Sequence, residues 1–246
     1  MKTYSHGFYA NRHEETVHAA NTILSILLQR LPDVRSAVDI GCGVGTWLAT
    51  LQEKGVEDIH GIDGDWVNRD LLAIPRTAFK QVDLSKSAIK LPRKYDLAIS
   101  LEVAEHLPPN RAKEFVSSLT ALADHVLFSA AIPFQGGVHH VNEQWQTYWV
   151  ELFRAAGYDV HDFIRSRIWN DSRIPFWYRQ NILLFSKAGK TLLEPIDGDD
   201  SPMPLDLVHP DLYLRRAQAH SGAGRRPGRV RGSVTDYLSR KLRMGK

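Results

Sequence analysis

The chain has 246 residues, a formal charge of +3, 43% hydrophobic residues and a single cysteine, Cys42. That length allows one sizeable domain with extensions, and one cysteine excludes an intrachain disulfide or a cysteine-based zinc cluster. The charge is uneven: from Ser221 onward eight Lys or Arg accompany one acid, Asp236, so this tail carries +7 and the remainder −4, a distribution suited to a polyanion.

The opening residues, "MKTYSHGFYANRHEE", lack the apolar core of a secretory signal. The most apolar run, "TILSILLQRL", is too short and too polar to span a bilayer. A cytoplasmic protein is expected. Residues 14–31 place Val17, Ala20, Ile23, Leu24, Leu27 and Leu31 at helical spacing, and Pro32 closes the helix. "AVDIGCG" reads as a buried strand ending in glycines, and "TWLATLQEKG" as a helix stopped by Gly55. "DIHGID", "FKQVDL" and "YDLAISL" are the next strands. A helix follows Pro108-Pro109 with Phe115, Val116, Leu119 and Leu122 on one face. "HVLFSAAI" is a fifth strand, "EQWQTYWVELFRAAG" a helix in which Asn142 serves as N-cap, and "YDVHDFI" and "QNILLFSK" a closing pair of strands. Trp145 and Trp149, four apart on that helix, suit the core. The alternation predicts an α/β fold with a mostly parallel sheet and helices on both faces. Ligands then bind beyond the carboxyl ends of the strands.

The loop "GCGVG" after the first strand lets backbone approach a ligand closely. A dinucleotide fingerprint fails, because Thr46 stands where its third glycine belongs. Asp39 beside the loop would repel a pyrophosphate and suits a ligand carrying an amine. Asp63, 20 residues after Gly43, ends the second strand where an acid accepts ribose hydroxyls, and Asp83 ends the third, where it could read an adenine amino group. Each could instead be structural: the glycines as a plain turn, Asp63 as a helix cap, Asp83 as a turn residue. Ribose, adenine and an amine without phosphate describe S-adenosylmethionine.

The series "VDIGCGVGTW", "GID", "VDL" and "YDLAISLEVAEHLP" resembles the motifs of class I S-adenosylmethionine-dependent methyltransferases over roughly residues 37–108. The resemblance implies a Rossmann-like, doubly wound, seven-stranded sheet with a reversed final hairpin. It implies cofactor contacts from Asp39, Gly41, Gly43, Gly45, Asp63, Asp83, Leu84 and Ser100. It also implies an N-terminal lid, for which "YSHGFYANRH" offers Tyr4, Phe8, Tyr9 and Arg12. The domain plan is a lid and helix over 1–36, the methyltransferase domain over 37–188, a linker over 189–220 rich in Pro, Gly and Asp, and the basic tail over 221–246.

Methyl transfer to a hydroxyl needs alignment and a base, and histidine titrates near neutrality. The candidates are His139 and His140 after the fifth strand, then His106 in "EVAEHLP". The histidines could equally be structural, or join Glu102, Glu105 or Glu143 around a divalent ion; adjacent histidines fit one ion poorly, so no metal is expected. The stretch "RIWNDSRIPFWYRQN" holds Trp169, Phe176, Trp177 and Tyr178 beside Arg173 and Arg179, a surface for a sugar ring or planar acceptor, or hairpin packing. The tail residues Val234, Tyr237, Leu238 and Leu242 form an apolar stripe among basic residues. The reading is O-methylation of a small molecule or saccharide. The alternatives are an RNA methyltransferase guided by the tail, which could also touch an anionic membrane, and a non-catalytic cofactor-binding protein. No obligate protein partner is evident.

Overall fold

The computed structural model describes residues 6–86, 88–194 and 203–223. Seven strands form one sheet: β1 (Ser36–Ile40), β2 (Asp58–Asp63), β3 (Phe79–Gln81), β4 (Leu97–Leu101), β5 (His125–Ser129), β6 (Tyr158–His161) and β7 (Leu183–Lys187). Their order is β3-β2-β1-β4-β5-β7-β6. The first five run parallel, and β7 lies antiparallel between β5 and β6. This is the Rossmann-like sheet with a reversed final hairpin that the motifs imply.

The helices are α1 (His6–Arg30), α2 (Thr46–Glu53), α3 (Ala112–Leu122), α4 (Gln146–Ala155), α5 (Arg165–Ile168), α6 (Phe176–Asn181) and α7 (Pro210–Ala223). Strand side chains alternate between the two faces, as the pleat demands. Ala37, Leu97, Ile99 and Leu127 pack with Ile23, Leu24 and Leu27 of α1 and Leu48 and Leu51 of α2. Val38, Ile40, Ala98, Val126 and Phe128 pack with Phe115 and Leu119 of α3 and Trp149 and Phe153 of α4. Each large apolar side chain buried this way stabilises the fold by roughly 1.5–3 kcal/mol. Two apolar cores, one on each face, explain why β4 is buried along its whole length.

The structure departs from the sequence reading in four places. Helix α4 begins at Gln146, with Trp145 in the cap position and no side-chain cap. Asn142 is therefore not its N-cap; the Val141 and Asn142 amides donate to the Glu105 carbonyl and the Gln144 amide to Ala131, which holds 141–144 extended. Of the tryptophan pair, Trp149 is core but Trp145 is 39% exposed. In the aromatic stretch 167–181, residues 167–168 end α5 and 176–181 form α6, and Phe176 and Tyr178 are buried. Residues 203–209, inside the expected linker, are tied to the main body: Asp206 accepts from the Thr147 amide and hydroxyl, both at 2.9 Å.

The chain divides into two compact units, Met1–His209 and Pro210–Lys246, the second described by α7. Residues 6–13 of the expected lid are the first turns of α1; Tyr4 lies outside the described residues, as does the tail beyond residue 223 with its apolar stripe. No helix among the described residues is long and apolar enough to cross a membrane.

Candidate active site

The loops after β1, β2, β4 and β5 meet at the carboxyl edge of the sheet. The Gly41 and Cys42 amides donate to the Ile62 carbonyl at 2.7 and 3.1 Å, so the glycine loop is tied to the end of β2. Gly41 has φ of 87°, and a Cβ there would lie 2.3 Å from the Val103 side chain. Only glycine fits both the conformation and the space. Gly43, also left-handed, faces open space. A concave backbone surface with room above it is what a closely bound ligand needs.

Asp39 and Asp63 stand at the ends of adjacent strands. Asp39 is 3% exposed, and no basic side chain among the described residues pairs with it. Its burial, and then the charge of Asp63, push its carboxyl well above the usual carboxylate range. Asp63 accepts from the amides of Gly43 at 2.7 Å and Gly64 at 2.6 Å, so it braces the glycine loop. Burial still raises its pKa, against those hydrogen bonds and one from Trp66. The Trp66 ring lies over Gly64 while remaining largely exposed. Gly45 lies against Ile74 at the head of α2. Ser100 is buried and donates to the Ile40 carbonyl at 3.0 Å, tying β4 to β1. The Leu84 side chain packs into the core. Asp83 is engaged in a turn: its carboxylate pairs with Lys86 at 2.7 Å and accepts from the Ser85 hydroxyl at 2.6 Å, which lowers its pKa to about 2.

A second cluster follows β4 and β5, with His106 near enough to Asp63 for their charges to interact. His106 ends a single 3₁₀ turn after β4. Its Nδ1 lies 3.3 Å from the His139 carbonyl, and a carbonyl can only accept, so Nδ1 carries the proton. His140 places Nδ1 2.9 Å from Glu143 Oε1. The two imidazoles meet nearly perpendicular, centroids 4.8 Å apart. Burial, followed by the nearby His140, lowers the His106 pKa. The His139 residue is exposed and adopts φ of 61°, while its carbonyl lies against His106. A Cβ on Gly137 would lie 2.1 Å from His140 Nε2, so that glycine makes room for the imidazole. Glu143 also accepts from the amides of Phe134 at 2.8 Å and Gly136 at 2.6 Å. It closes the loop between β5 and α4 around His140.

Sequence reasoning did not find the support beneath this cluster. Glu102 accepts from Gln135 Nε2 at 2.8 Å and Asn181 Nδ2 at 3.1 Å. Gln180 donates in turn to Gln135 Oε1 at 3.0 Å. A Gln-Asn pair directly before the apolar strand "LLFS" was the available signal, since buried amides require partners. Glu102, Phe134 and His139 all adopt positive φ without being glycine. Strain of about 1–3 kcal/mol each, gathered at one crevice, marks a functional surface.

A family model described as a methyltransferase domain matches residues 11–168. The ubiquinone biosynthesis O-methyltransferase of Methylococcus capsulatus is 30% identical over 105 residues, 38% of this chain and 43% of that protein. Its counterpart in Photorhabdus laumondii is 26% identical over 128 residues, 47% of this chain and 52% of that protein. The chain thus spans about half the length of the curated relatives it matches. Among solved structures, Streptomyces venezuelae DesVI aligns with a TM-score of 0.56 and 16% identity over 76% of this chain and 100% of that one. Magnesium protoporphyrin IX methyltransferase from Synechocystis PCC 6803 with bound SAH aligns at 0.54 and 20% identity, over 76% and 90%. At these identities the structural likeness is one of fold.

Proposed function

The chain belongs to the methyltransferase domain family and is an enzyme that uses S-adenosylmethionine; from that premise we propose that it methylates a hydroxyl oxygen of a small-molecule or saccharide acceptor, with His140 as the base. The observation that carries this reading is the His140–Glu143 pair. Glu143 holds the Nδ1 proton at 2.9 Å, which leaves Nε2 with its lone pair to take the acceptor's proton.

The residues present fit the cofactor. Gly41, Gly43 and Gly45 offer a bare backbone surface, and Asp39 is a buried carboxylate in want of a positive partner. Asp39 would hold the cofactor's amine, and Asp63 its ribose. When bound, the cofactor supplies an electrophilic methyl group on a sulfonium. The chain's own work is to align the acceptor oxygen, exclude water and remove its proton.

Oxygen as the methylated atom is supported by the two curated relatives, both named as O-methyltransferases. With Phe176 and Tyr178 buried, the acceptor surface falls to the loop that carries the histidines. Phe134, Val138, Val141 and Trp145 are exposed along it, and they suit the apolar face of an aromatic or sugar ring.

The test is methyl transfer to a panel of phenols, nucleotide sugars and glycans, read as demethylated cofactor released. Replacing His140 by Ala should lower kcat by about 10²–10⁴-fold with cofactor affinity kept. An unchanged kcat in that variant would remove His140 as the base.

A further inference from the structure

We propose that Glu105, His106 and His140 bind one divalent transition-metal cation, through a Glu105 carboxylate oxygen and Nε2 of each imidazole. The three side chains offer ligand atoms that all lie within 4.8 Å of one another. Two ligands about 2.1 Å from a tetrahedral ion sit roughly 3.4 Å apart, so small rotations of the exposed His106 and of His140 close the gap.

Three independent features point at an ion rather than at packing. The first is Glu105 itself. It is completely buried, and no basic side chain or side-chain amide donates to either carboxylate oxygen. A buried acid in that state is costly unless something positive meets it. Glu102 sets a second carboxyl beside it, with Gln135 and Asn181 donating to the two Glu102 oxygens. No Lys or Arg among the described residues pairs with either acid.

The second is the tautomer of both histidines. His106 Nδ1 is held by the His139 carbonyl and His140 Nδ1 by the Glu143 carboxylate. Both rings therefore carry their free lone pair on Nε2. Histidines that ligate metals characteristically give their other N–H to a carbonyl or a carboxylate, which fixes the ring and raises its basicity. This cluster has one of each.

The third is what the fold spends to hold them. The His139 carbonyl meets His106 from a residue held at φ of 61°, and His140 fits only because residue 137 lacks a side chain. Two imidazoles and one carboxylate select a first-row divalent ion such as Mn²⁺, Co²⁺ or Zn²⁺ over Mg²⁺ or Ca²⁺. Three protein ligands leave coordination positions for an oxygen of the acceptor.

The binding site stands by itself; the use of the ion rests on the reading that the acceptor hydroxyl binds beside His140. With the ion in place, the His140 lone pair is committed, and the hydroxyl is made acidic instead of being deprotonated by His140. The acceptor oxygen then forms a bond to the methyl carbon as the carbon–sulfur bond breaks. The electron pair stays on sulfur, and the hydroxyl proton leaves to solvent.

The experiment uses full-length enzyme stripped with a chelator and titrated with Co²⁺, read by its visible absorption and by calorimetry, then with Mn²⁺ and Zn²⁺. One ion per chain is expected at this site. Affinity should fall at least tenfold in Glu105→Gln, His106→Ala and His140→Ala, and about 10–100-fold in Glu143→Gln. Cofactor binding measured on each variant reports that it is folded. No saturable binding by the stripped wild type, or equal binding in all four variants, overturns the site. Loss of transfer in His140→Ala without any metal binding to the wild type would leave the general-base reading standing alone. Full transfer in that variant would end the activation reading even if the ion binds.

Discussion

Asp39 carries a cost in the folded chain. Its carboxyl is buried at the end of β1 with Asp63 nearby, and both effects favour the neutral acid. A group whose folded pKa is raised opposes folding at pH above that pKa, and the opposition is relieved as pH falls toward the unfolded value. A cationic amine bound there reverses the preference. Replacing Asp39 by Asn should therefore do two opposite things at neutral pH. The melting temperature of the free protein should rise, and affinity for S-adenosylmethionine should fall about 10–100-fold, the usual size of a charged hydrogen bond. In the wild type, affinity should also weaken as pH is lowered from about 8 toward 4, through a midpoint above the ordinary Asp range, while the Asn variant loses most of that dependence. Thermal melts and calorimetry across pH check both arms. A variant that binds normally would remove Asp39 from the cofactor site.

Among the elements, the reversed hairpin depends on one buried guanidinium. Arg165 of α5 is fully buried. It forms a two-pronged pair with Asp162, and its remaining donors reach the carbonyls of Gln180 at 3.1 Å, Leu205 at 2.9 Å and Pro204 at 2.9 Å. It thus joins the turn after β6, the end of α6 and the 203–209 segment. Arg165→Met keeps apolar bulk but strands Asp162 and three carbonyls. Breaking a buried pair on one side costs about 3–5 kcal/mol, a fall in Tm on the order of 10 °C for a unit of this size. A thermal melt within 2 °C or so of wild type would contradict the role given to Arg165. This joint also shows where the sequence is readable. The strands β1, β2, β4, β5 and β7 are short apolar runs bounded by turn residues, and the glycine loop with its acids is a local motif. The 203–209 segment reads as linker because Pro, Gly and Asp dominate the stretch around it; it is held by Thr147, Gln180 and Arg165, all distant in sequence. The Glu102–Asn181 bond spans 79 residues. No local pattern announces such pairs, and for the same reason the Glu143 contact with His140 was mistaken for a helix start at Asn142.

At the scale of the whole molecule, the charge divides at the tail. The 26 residues from Ser221 carry +7 while the remainder carries −4. If the acceptor were RNA held by this tail, binding would release counterions, and log affinity would fall against log salt with a slope of about −0.7 per neutralised phosphate, near −5 with all seven charges engaged. A small uncharged acceptor bound beside His140 releases none. For an uncharged phenol or glycan, KM should change less than about twofold between 50 and 200 mM salt. A chain ending at residue 220 should retain the kcat/KM of the 246-residue chain, because every residue given a part in cofactor, acceptor or ion binding lies between Asp39 and Trp145. Steady-state kinetics of both chains at several salt concentrations decide the matter. A KM that climbs steeply with salt in the full chain, and loses that dependence in the shortened one, would transfer the acceptor from a small molecule to a polyanion. The catalytic cluster at the sheet edge would keep its role under either acceptor.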